Sequence, residues 1–441
     1  MPRPSPPALP PYLAERLAPW RAAPRWRVAF SGGLDSTVLL HLLACHPQRS
    51  AWPPLSALHV QHGLQAASTA WPAHCQAICE ALGVPLETVG VRVEPGASLE
   101  RAAREARYGA FAQALADGEL LLTAHHRDDQ AETLLFRLLR GAGVRGLAAM
   151  PDRRRLGRGW LARPLLGIER AELERYAFQH GLRWVDDPSN ADTRLARNYL
   201  RHDVLPLLRA RWPRADAALA RSAAHLREAE ILLGELASLD LGNARSASRW
   251  PWLALPSLAL EPLARLSPAR QRNALRNWLA PFTALPDQDH WAGWEALRDA
   301  REAASPVWRL AHGELHRGDG RLWWLSGDWL RPPPPAPAWP TGLDRLALPG
   351  NGVLGWAGEA PVGDWEVRYR RGGECLAVPG RGRRDLKRLL NEAGIPGFAR
   401  GRLPLLYRDG QLCAVANLPG LDRLHGQGAA LRWTPPPGDP V

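Results

Sequence analysis

Lysine is almost absent from this sequence: Lys387 is the single lysine, and arginine supplies the other 55 of the 56 basic residues. Cysteine is scarce as well, and none of the five residues belongs to a CxxC pair: Cys45, Cys75, Cys79, Cys375 and Cys413. A set this sparse and odd does not suggest a disulfide scaffold, and Cys75 and Cys79 lack the second pair that would complete a zinc site. We expect both to be buried as small apolar side chains.

Long apolar runs are also missing. No stretch of about 18 apolar residues occurs, and the proline-rich start MPRPSPPALPP has no apolar core of the signal-peptide type. These absences argue against a protein with transmembrane helices and against a secreted protein. We therefore expect a soluble, cytoplasmic protein that does not bind membranes.

Size and charge set the next bounds. The 441 residues are too many for one hydrophobic core and favour two or three domains. Basic residues outnumber acidic ones by 56 to 44, and the resulting net charge of +12 favours a polyanionic partner. Because the use of arginine in place of lysine is typical of compositional bias, no single arginine is assigned a role from its identity alone.

Strand-like and helix-like stretches alternate through roughly the first 200 residues. The predicted strands are Arg27–Phe30, Leu55–Gln61, Leu86–Val93 and Glu119–Ala124. The predicted helices are Ser36–Ala44, Thr69–Leu82, Leu99–Ala116 and Asp128–Arg140. This alternation predicts an α/β fold with a doubly wound parallel sheet, in which ligands bind beyond the carboxyl ends of the strands.

The pattern changes after Trp212-Pro213, so we assign residues 1–215 to the α/β domain. Leucines at seven-residue spacing then indicate a helical domain over residues 216–330. A proline-rich linker, RPPPPAPAWP and its continuation, covers residues 331–349. Residues 350–441 read as a small α+β domain, with ten basic and four acidic residues between Glu366 and Arg402.

A glycine-rich turn joins the first predicted strand to the first predicted helix in VAFSGGLDSTVLL. Its glycines let the backbone approach an anion closely, and the helix that follows presents free N–H groups and its positive dipole end. Ser31 and Ser36 add hydroxyl donors, but the turn has no lysine. Asp35 would repel phosphate unless a cation lay between them, which favours magnesium.

Two further stretches carry candidate site residues. In TAHHRDDQAET, Asp129 and Glu132 share a helix face and His126 stands three residues before Asp129; a capped helix N-terminus would look similar. In SLERAAREARY, Arg104 and Arg107 follow Glu100 at helical spacing, with Tyr108 adjoining. These arginines either form a solvated face or neutralise phosphate.

The SGGLDS stretch resembles the PP-loop of the ATP pyrophosphatase superfamily, and further motifs extend the resemblance to the tRNA(Ile)-lysidine synthetases. They are HVQHGL, EREARY-type spacing, HHRDDQAET, RGAGVRGLAAM, RPLL, WVDDPSN…RNYLR and the C-terminal GRRDLKRLLNEAGIPGFARGRLPLLYRDG. Small departures are Gln61 in place of a common asparagine, Gln65 in place of arginine and Arg388 in place of lysine. None removes a group that the chemistry obviously needs.

The resemblance implies an ATP-dependent ligase that acts in two steps on the wobble cytidine of tRNA(Ile) with a CAU anticodon. ATP adenylates the carbon-2 oxygen and releases pyrophosphate, and the amine of free L-lysine then displaces AMP. Domains 216–330 and 350–441 would contact the tRNA, and the resemblance leaves a homodimer open. A phosphate loop that holds pyrophosphate as a leaving group need not carry the lysine of a γ-phosphoryl transferase.

The resemblance also assigns roles to residues. The pyrophosphate of ATP would bind the loop residues Ser31, Gly32, Gly33, Leu34, Asp35 and Ser36. Asp35 would hold magnesium, Arg104 and Arg107 would contact phosphate, and His126 and Asp129 would lie near the nucleophile or target base. The tRNA would contact the C-terminal residues Arg383, Arg384, Lys387 and Arg388.

Three alternatives remain at this point. A tRNA thiolase of the same superfamily needs a persulfide-bearing cysteine or a cysteine-bound cluster, and the chain has no CxxC. A non-catalytic tRNA-binding protein fits the charge but leaves SGGLDS and HHRDDQAET unexplained. An amidotransferase-coupled ligase such as a GMP synthetase needs a glutaminase and offers no reason for a basic C-terminal domain.

Overall fold

The protein is described by a computed structural model that covers residues 8–61, 70–93, 99–284, 290–301, 304, 306–378, 381–421 and 429–438. The chain divides into two compact units, Met1–Ile231 and Leu232–Val441. No helix within the described ranges is long and apolar enough to cross a membrane.

The first unit is built on a six-stranded sheet with strand order β3-β2-β1-β4-β6-β5. All neighbours pair in parallel except β5, which pairs antiparallel with β6 at the sheet edge. The strands are β1 Trp26–Ala29, β2 Leu55–Gln61, β3 Leu86–Gly90, β4 Leu120–Leu122, β5 Arg153–Leu156 and β6 Gly159–Ala162. The predicted parallel α/β sheet is confirmed. The β5–β6 hairpin was not predicted, because its first strand is arginine-rich and carries no apolar run.

Helices surround this sheet. They are α1 Leu9–Leu17, α2 Leu34–Ala44, α3 Trp71–Ala81, α4 Leu99–Ala114, α5 Arg127–Leu138, α6 Val144–Leu147, α7 Arg170–Gln179, α8 Ala196–Tyr199 and α9 Leu205–Arg211. A π-helical turn, Leu200–Val204, joins α8 to α9. Helix α2 packs on the sheet through side chains such as Val38 and Leu39, which are fully buried. Cys75 and Cys79 of α3 are also fully buried, as predicted.

A 30-residue helix, α10 (Ala215–Ala244), is followed by the second unit's four-stranded antiparallel sheet with order β7-β10-β9-β8. Its strands are β7 Ser257–Ala259, β8 Val307–Leu310, β9 Gly313–Gly318 and β10 Arg321–Leu325. Its helices are α11 Leu260–Ala264, α12 Pro268–Leu279 and α13 Trp291–Asp299. The sequence patterns indicated the helices but missed the sheet. The short run RLWWL of β10 is buried on both faces, so it lacks the alternation that marks a strand.

The C-terminal part of the second unit is α+β, as predicted. Its strands are β11 Arg345–Ala347, β12 Val353–Ala357, β13 Glu366–Arg368, β14 Cys375–Val378, β15 Gly382–Asp385, β16 Leu405–Arg408, β17 Gln411–Val415 and β18 Ala430–Thr434. Its helices are α14 Leu386–Glu392 and α15 Gly397–Arg400. One core cluster joins these elements to Leu253, Trp323 and Trp329, so the proline-rich segment does not separate two independent cores.

Candidate active site

A cavity of about 590 Å³ opens in the first unit beyond the carboxyl ends of β1, β2 and β4. Ligands are expected at this edge of a parallel sheet, because the loops that follow the strands meet there. The phosphate-loop residues, helix α4, the start of α5 and the segment 185–201 all contribute to its wall. The cavity therefore brings together the motifs that lie far apart in the sequence.

The phosphate loop closes on itself through its two serines. The Ser31 and Ser36 hydroxyl oxygens are 3.0 Å apart, and the Ser36 hydroxyl also donates to the Gly33 carbonyl. Gly32 has φ +81°, and a Cβ at this position would lie 2.9 Å from Sγ of Cys75, so glycine is required here for two reasons. Helix α2 starts directly after Gly33, so its first N–H groups face the cavity end of the loop.

His126 connects the phosphate loop to the acidic motif. It is 1% exposed, and its Nε2 atom lies 3.7 Å from Oδ2 of Asp35 and 3.5 Å from Oδ2 of Asp129. Burial opposes protonation, but the surrounding carboxylates, Asp129 and Asp35 above all, raise the pKa of His126 to about 9. At neutral pH this imidazole is therefore a buried cation. The Asp129 pKa is lowered: burial opposes ionisation, but the neighbouring cations outweigh it.

The preceding residue behaves in the opposite way. Burial, with help from nearby arginines, lowers the pKa of His125 to about 3, so this imidazole is neutral. His125 lines the cavity and shares a hydrogen bond of 2.8 Å with the Thr123 hydroxyl. The resemblance assigned only His126 to the surroundings of the nucleophile or target base, although both histidines follow a strand and precede a helix. The structure places His125 at the cavity wall and His126 behind it.

Arg201 binds two of the three acidic residues of α5, Asp129 and Glu132. Its guanidinium donates to Glu132 at 2.6 Å and to Asp129 at 3.0 Å. Burial raises the pKa of Glu132, which Arg201 only partly offsets. This arginine is part of the RNYLR motif, one of the motifs that carry the family resemblance. Its contact with α5 could not be predicted from the sequence.

An arginine of α4 stacks on a tyrosine of the same helix. The Arg104 guanidinium lies 4.8 Å from the centre of the Tyr108 ring, and both Arg104 and Arg107 line the cavity. Burial alone would raise the Tyr108 pKa, but Arg104, Arg163 and Arg107 together lower it. This wall of the cavity is therefore positively charged. Glu100, which precedes Arg104 and Arg107 at helical spacing, has a side chain outside the described part.

The site can accept magnesium at Asp35. Oδ1 of this carboxylate is buried and has no hydrogen-bond partner among the described residues. No group of three or more histidine, cysteine or acidic side chains in the described ranges forms a metal cage. Magnesium at nucleotide sites is commonly held by one or two carboxylates together with phosphate oxygens, so the single carboxylate fits that ion.

The predicted tRNA-contacting residues of the second unit are exposed. Arg383 and Arg384 lie on β15, and Lys387 and Arg388 lie on α14. Asp385 caps α14 by accepting a hydrogen bond from the Arg388 backbone N–H at 3.0 Å. A second cavity, of about 1070 Å³, has four arginines in its wall: Arg368, Arg370, Arg371 and Arg383. This surface is suited to an anionic partner.

Three family descriptions match segments of the chain. A PP-loop domain matches residues 12–208, a TilS substrate binding domain matches residues 258–323, and a TilS substrate C-terminal domain matches residues 365–434. Together they cover the candidate active site, the four-stranded sheet of the second unit and the basic C-terminal region.

Relatives that match nearly the whole chain are named tRNA(Ile)-lysidine synthase. The chain is 62% identical to a tRNA(Ile)-lysidine synthase of Pseudomonas syringae pv. tomato, over 98% of this chain and 97% of the relative. It is 62% identical to the Pseudomonas aeruginosa protein of that name, over 97% of each, and 39% identical to the Shigella flexneri protein, over 89% and 91%. A U34-tRNA thiolase from Methanococcus maripaludis is 18% identical, with a TM-score of 0.41 over 50% of this chain and 78% of that one.

Proposed function

The chain belongs to the tRNA(Ile)-lysidine synthase family, and from this premise we propose that it ligates free L-lysine to carbon 2 of the wobble cytidine of tRNA(Ile) with a CAU anticodon. It is an ATP-dependent ligase, as its PP-loop domain and its near full-length identity to the named relatives support. The proposal rests mainly on one observation: the phosphate loop, with Asp35, opens into a cavity of about 590 Å³.

The reaction proceeds in two steps. The carbon-2 oxygen of cytidine attacks the α-phosphorus of ATP, and the bond to the β-phosphate breaks with its electron pair leaving on pyrophosphate. The lysine amine then attacks carbon 2, loses a proton, and displaces AMP with the activated oxygen. Adenylation converts a poor oxygen leaving group into a good one, which is why ATP is consumed.

Pyrophosphate binds at the start of α2, where the loop turns at Gly32 and Gly33. Asp35 would hold magnesium, which would supply positive charge at the phosphates. The serine hydroxyls and the first N–H groups of the helix donate to phosphate oxygens, because no side chain of the loop carries a positive charge.

Arg104 and Arg107 neutralise phosphate charge from the cavity wall, where the Arg104 guanidinium lies over the Tyr108 ring. Asp129 stays ionised because its pKa is lowered, and it faces the lysine ammonium or the target base. Because His126 is a buried cation, it holds the carboxylates of Asp35 and Asp129 in position. It does not itself contact the substrates.

The second unit binds tRNA away from the anticodon through Arg383, Arg384, Lys387 and Arg388. All four side chains are exposed, so each can reach a phosphate. A homodimer stays a prediction that light scattering coupled to gel filtration would check.

The cysteines weigh against sulfur transfer. Cys75 lies beside the phosphate loop, but burial, with Cys79, raises its pKa to about 12, so it carries no thiolate at neutral pH. No cysteine lies in the described wall of the cavity. A thiolase would need one there.

Incubation of the protein with labelled lysine, ATP and a tRNA(Ile) transcript tests the proposal. We expect label in the tRNA only when ATP is present, and mass spectrometry should show a cytidine enlarged by one lysine less water. Replacing the wobble cytidine by uridine should abolish labelling. A mass change from oxygen to sulfur would indicate a thiolase, and tRNA binding without modification would indicate a non-catalytic protein.

A further inference from the structure

The phosphate loop has no basic side chain of its own, so any positively charged side chain at its entrance comes from elsewhere in the chain. Five arginines contribute to the cavity wall: Arg104, Arg107, Arg170, Arg197 and Arg201. Arg104 lies on the Tyr108 ring, and Arg201 is bound to Glu132 and Asp129. Arg170 forms an ion pair with the loop residue Asp35.

The guanidinium of Arg170 forms two long ion pairs with neighbouring carboxylates. Its Nε atom is 4.0 Å from Oδ1 of Asp35, and its Nη2 atom is 3.7 Å from Oε1 of Glu174. Both distances exceed a hydrogen bond, and the guanidinium has no hydrogen-bond acceptor among the residues that the structure describes. Its side chain is 39% exposed, so its donors can still reach a ligand in the cavity.

The backbone of Arg170 is held firmly in place. It is the first residue of α7, and its N–H donates to Oδ1 of Asp128 at 3.2 Å. Two links tie α7 and the residues just before it to the rest of the site: the Arg127 N–H donates to the Ile168 carbonyl at 2.8 Å, and Nδ1 of His41 on α2 is 2.9 Å from the Tyr176 hydroxyl. Helix α7 is thus fixed against the helix that starts at the phosphate loop.

We propose that Arg170 is the catalytic cation of this lysine-free phosphate loop and binds the departing pyrophosphate. This inference rests on the proposed adenylation, in which a bond to the α-phosphorus breaks and the electron pair leaves on pyrophosphate. A guanidinium matches two phosphate oxygens at once and stays charged at every working pH. Arg170 transfers no proton; it stabilises charge that grows as the bond breaks, which raises the rate of adenylation.

Direct binding of inorganic pyrophosphate, with magnesium present, tests this role in the full-length protein. Removing a charged partner of the phosphate should weaken binding about 10- to 100-fold in Arg170→Ala and Arg170→Gln, as measured by calorimetry. Arg170→Lys should recover part of the affinity. AMP lacks the β- and γ-phosphates, so its affinity should stay within about twofold of wild type. Lysine-dependent AMP release with tRNA should slow by a factor on the order of 10 to 100.

Arg175→Ala is the matched control, since Arg175 is an exposed arginine on the same helix and does not line the cavity. It should bind pyrophosphate and AMP as wild type does. Unchanged pyrophosphate affinity in Arg170→Ala would overturn the proposal. Equal loss of pyrophosphate and AMP binding would also overturn it, because Arg170 would then only shape the loop. A wild-type protein that binds both ligands but does not modify tRNA would refute the lysidine function instead.

Discussion

The Nε2 atom of His126 lies 3.7 Å from Oδ2 of Asp35, which links the start of α5 to the phosphate loop. The two residues follow the neighbouring parallel strands β4 and β1, whose carboxyl ends meet at the cavity. Both belong to motifs that the sequence displays separately. This contact couples the charges of the phosphate loop to those of the acidic motif. The consequences of that coupling can be measured.

The first prediction concerns pH. The His126 pKa is raised from 6.5 to about 9 in the folded protein, so its contribution is complete below pH 6.5 and is lost as pH rises through 9. His126→Gln should therefore be less stable than wild type by about 1–3 kcal/mol at pH 6.5, with a smaller difference at pH 9.5. Urea unfolding at both pH values measures this. A difference that is the same at both would show that the imidazole is neutral in the fold.

The second prediction concerns Asp35. Asp35→Asn should abolish ATP- and lysine-dependent modification, because the amide cannot supply the negative oxygen that magnesium requires. Binding of tRNA should remain nearly intact, as measured by filter retention. Asp117→Asn, on a side chain that is 84% exposed, serves as the control and should retain activity. Unchanged modification by Asp35→Asn would refute the magnesium assignment.

The third prediction concerns the basic cluster of the second unit. Removing the chain near Pro340 would expose Trp323 and Trp329, which share a core with the C-terminal strands, so point variants are preferable. Replacing Arg383, Arg384, Lys387 and Arg388 with glutamine should weaken tRNA binding and flatten its salt dependence. The slope of log affinity against log salt should fall by about 0.7–0.9 for each phosphate that the variant no longer neutralises.

A double variant of Arg345 and Arg432, both exposed strand residues, controls for net charge in that experiment. For each charge removed, this double variant should weaken tRNA affinity less than the quadruple variant does. The quadruple variant should still modify tRNA at saturating concentration, since the cluster contributes no residue to the described wall of the active-site cavity. Equal affinity and equal slope for wild type and the quadruple variant would exclude the cluster as a tRNA contact.

The fourth prediction concerns sulfur. A protein with Cys75 and Cys79 changed to alanine and the other three cysteines changed to serine should retain modification. The two buried substitutions should cost about 1–2 kcal/mol each in stability, because each removes packing from the core. Thermal unfolding establishes that the variant is folded, and mass spectrometry of the tRNA gives the product. A folded variant without activity would support the thiolase alternative.

Much of the N-terminal fold was accessible from the sequence. Apolar runs that alternate with amphipathic stretches specify parallel strands and helices locally, and SGGLDS places a phosphate loop between β1 and α2. Position 32 requires glycine because the backbone φ angle there is +81°. Such features depend on a few neighbouring residues, so they can be predicted from the sequence alone. The helix bounds differ from the predicted ones by at most a few residues for the same reason.

Contacts between distant segments carry no comparable signal. His125 and His126 are adjacent and chemically identical, yet packing makes one a neutral group at the cavity wall and the other a buried cation. Arg201 meets Glu132 across 69 residues, and Arg170 reaches the phosphate loop from α7, a helix that was not among those predicted from the sequence. Local periodicity encodes which face of an element is buried. Only the assembled sheet brings the loops together and sets the charges that they share.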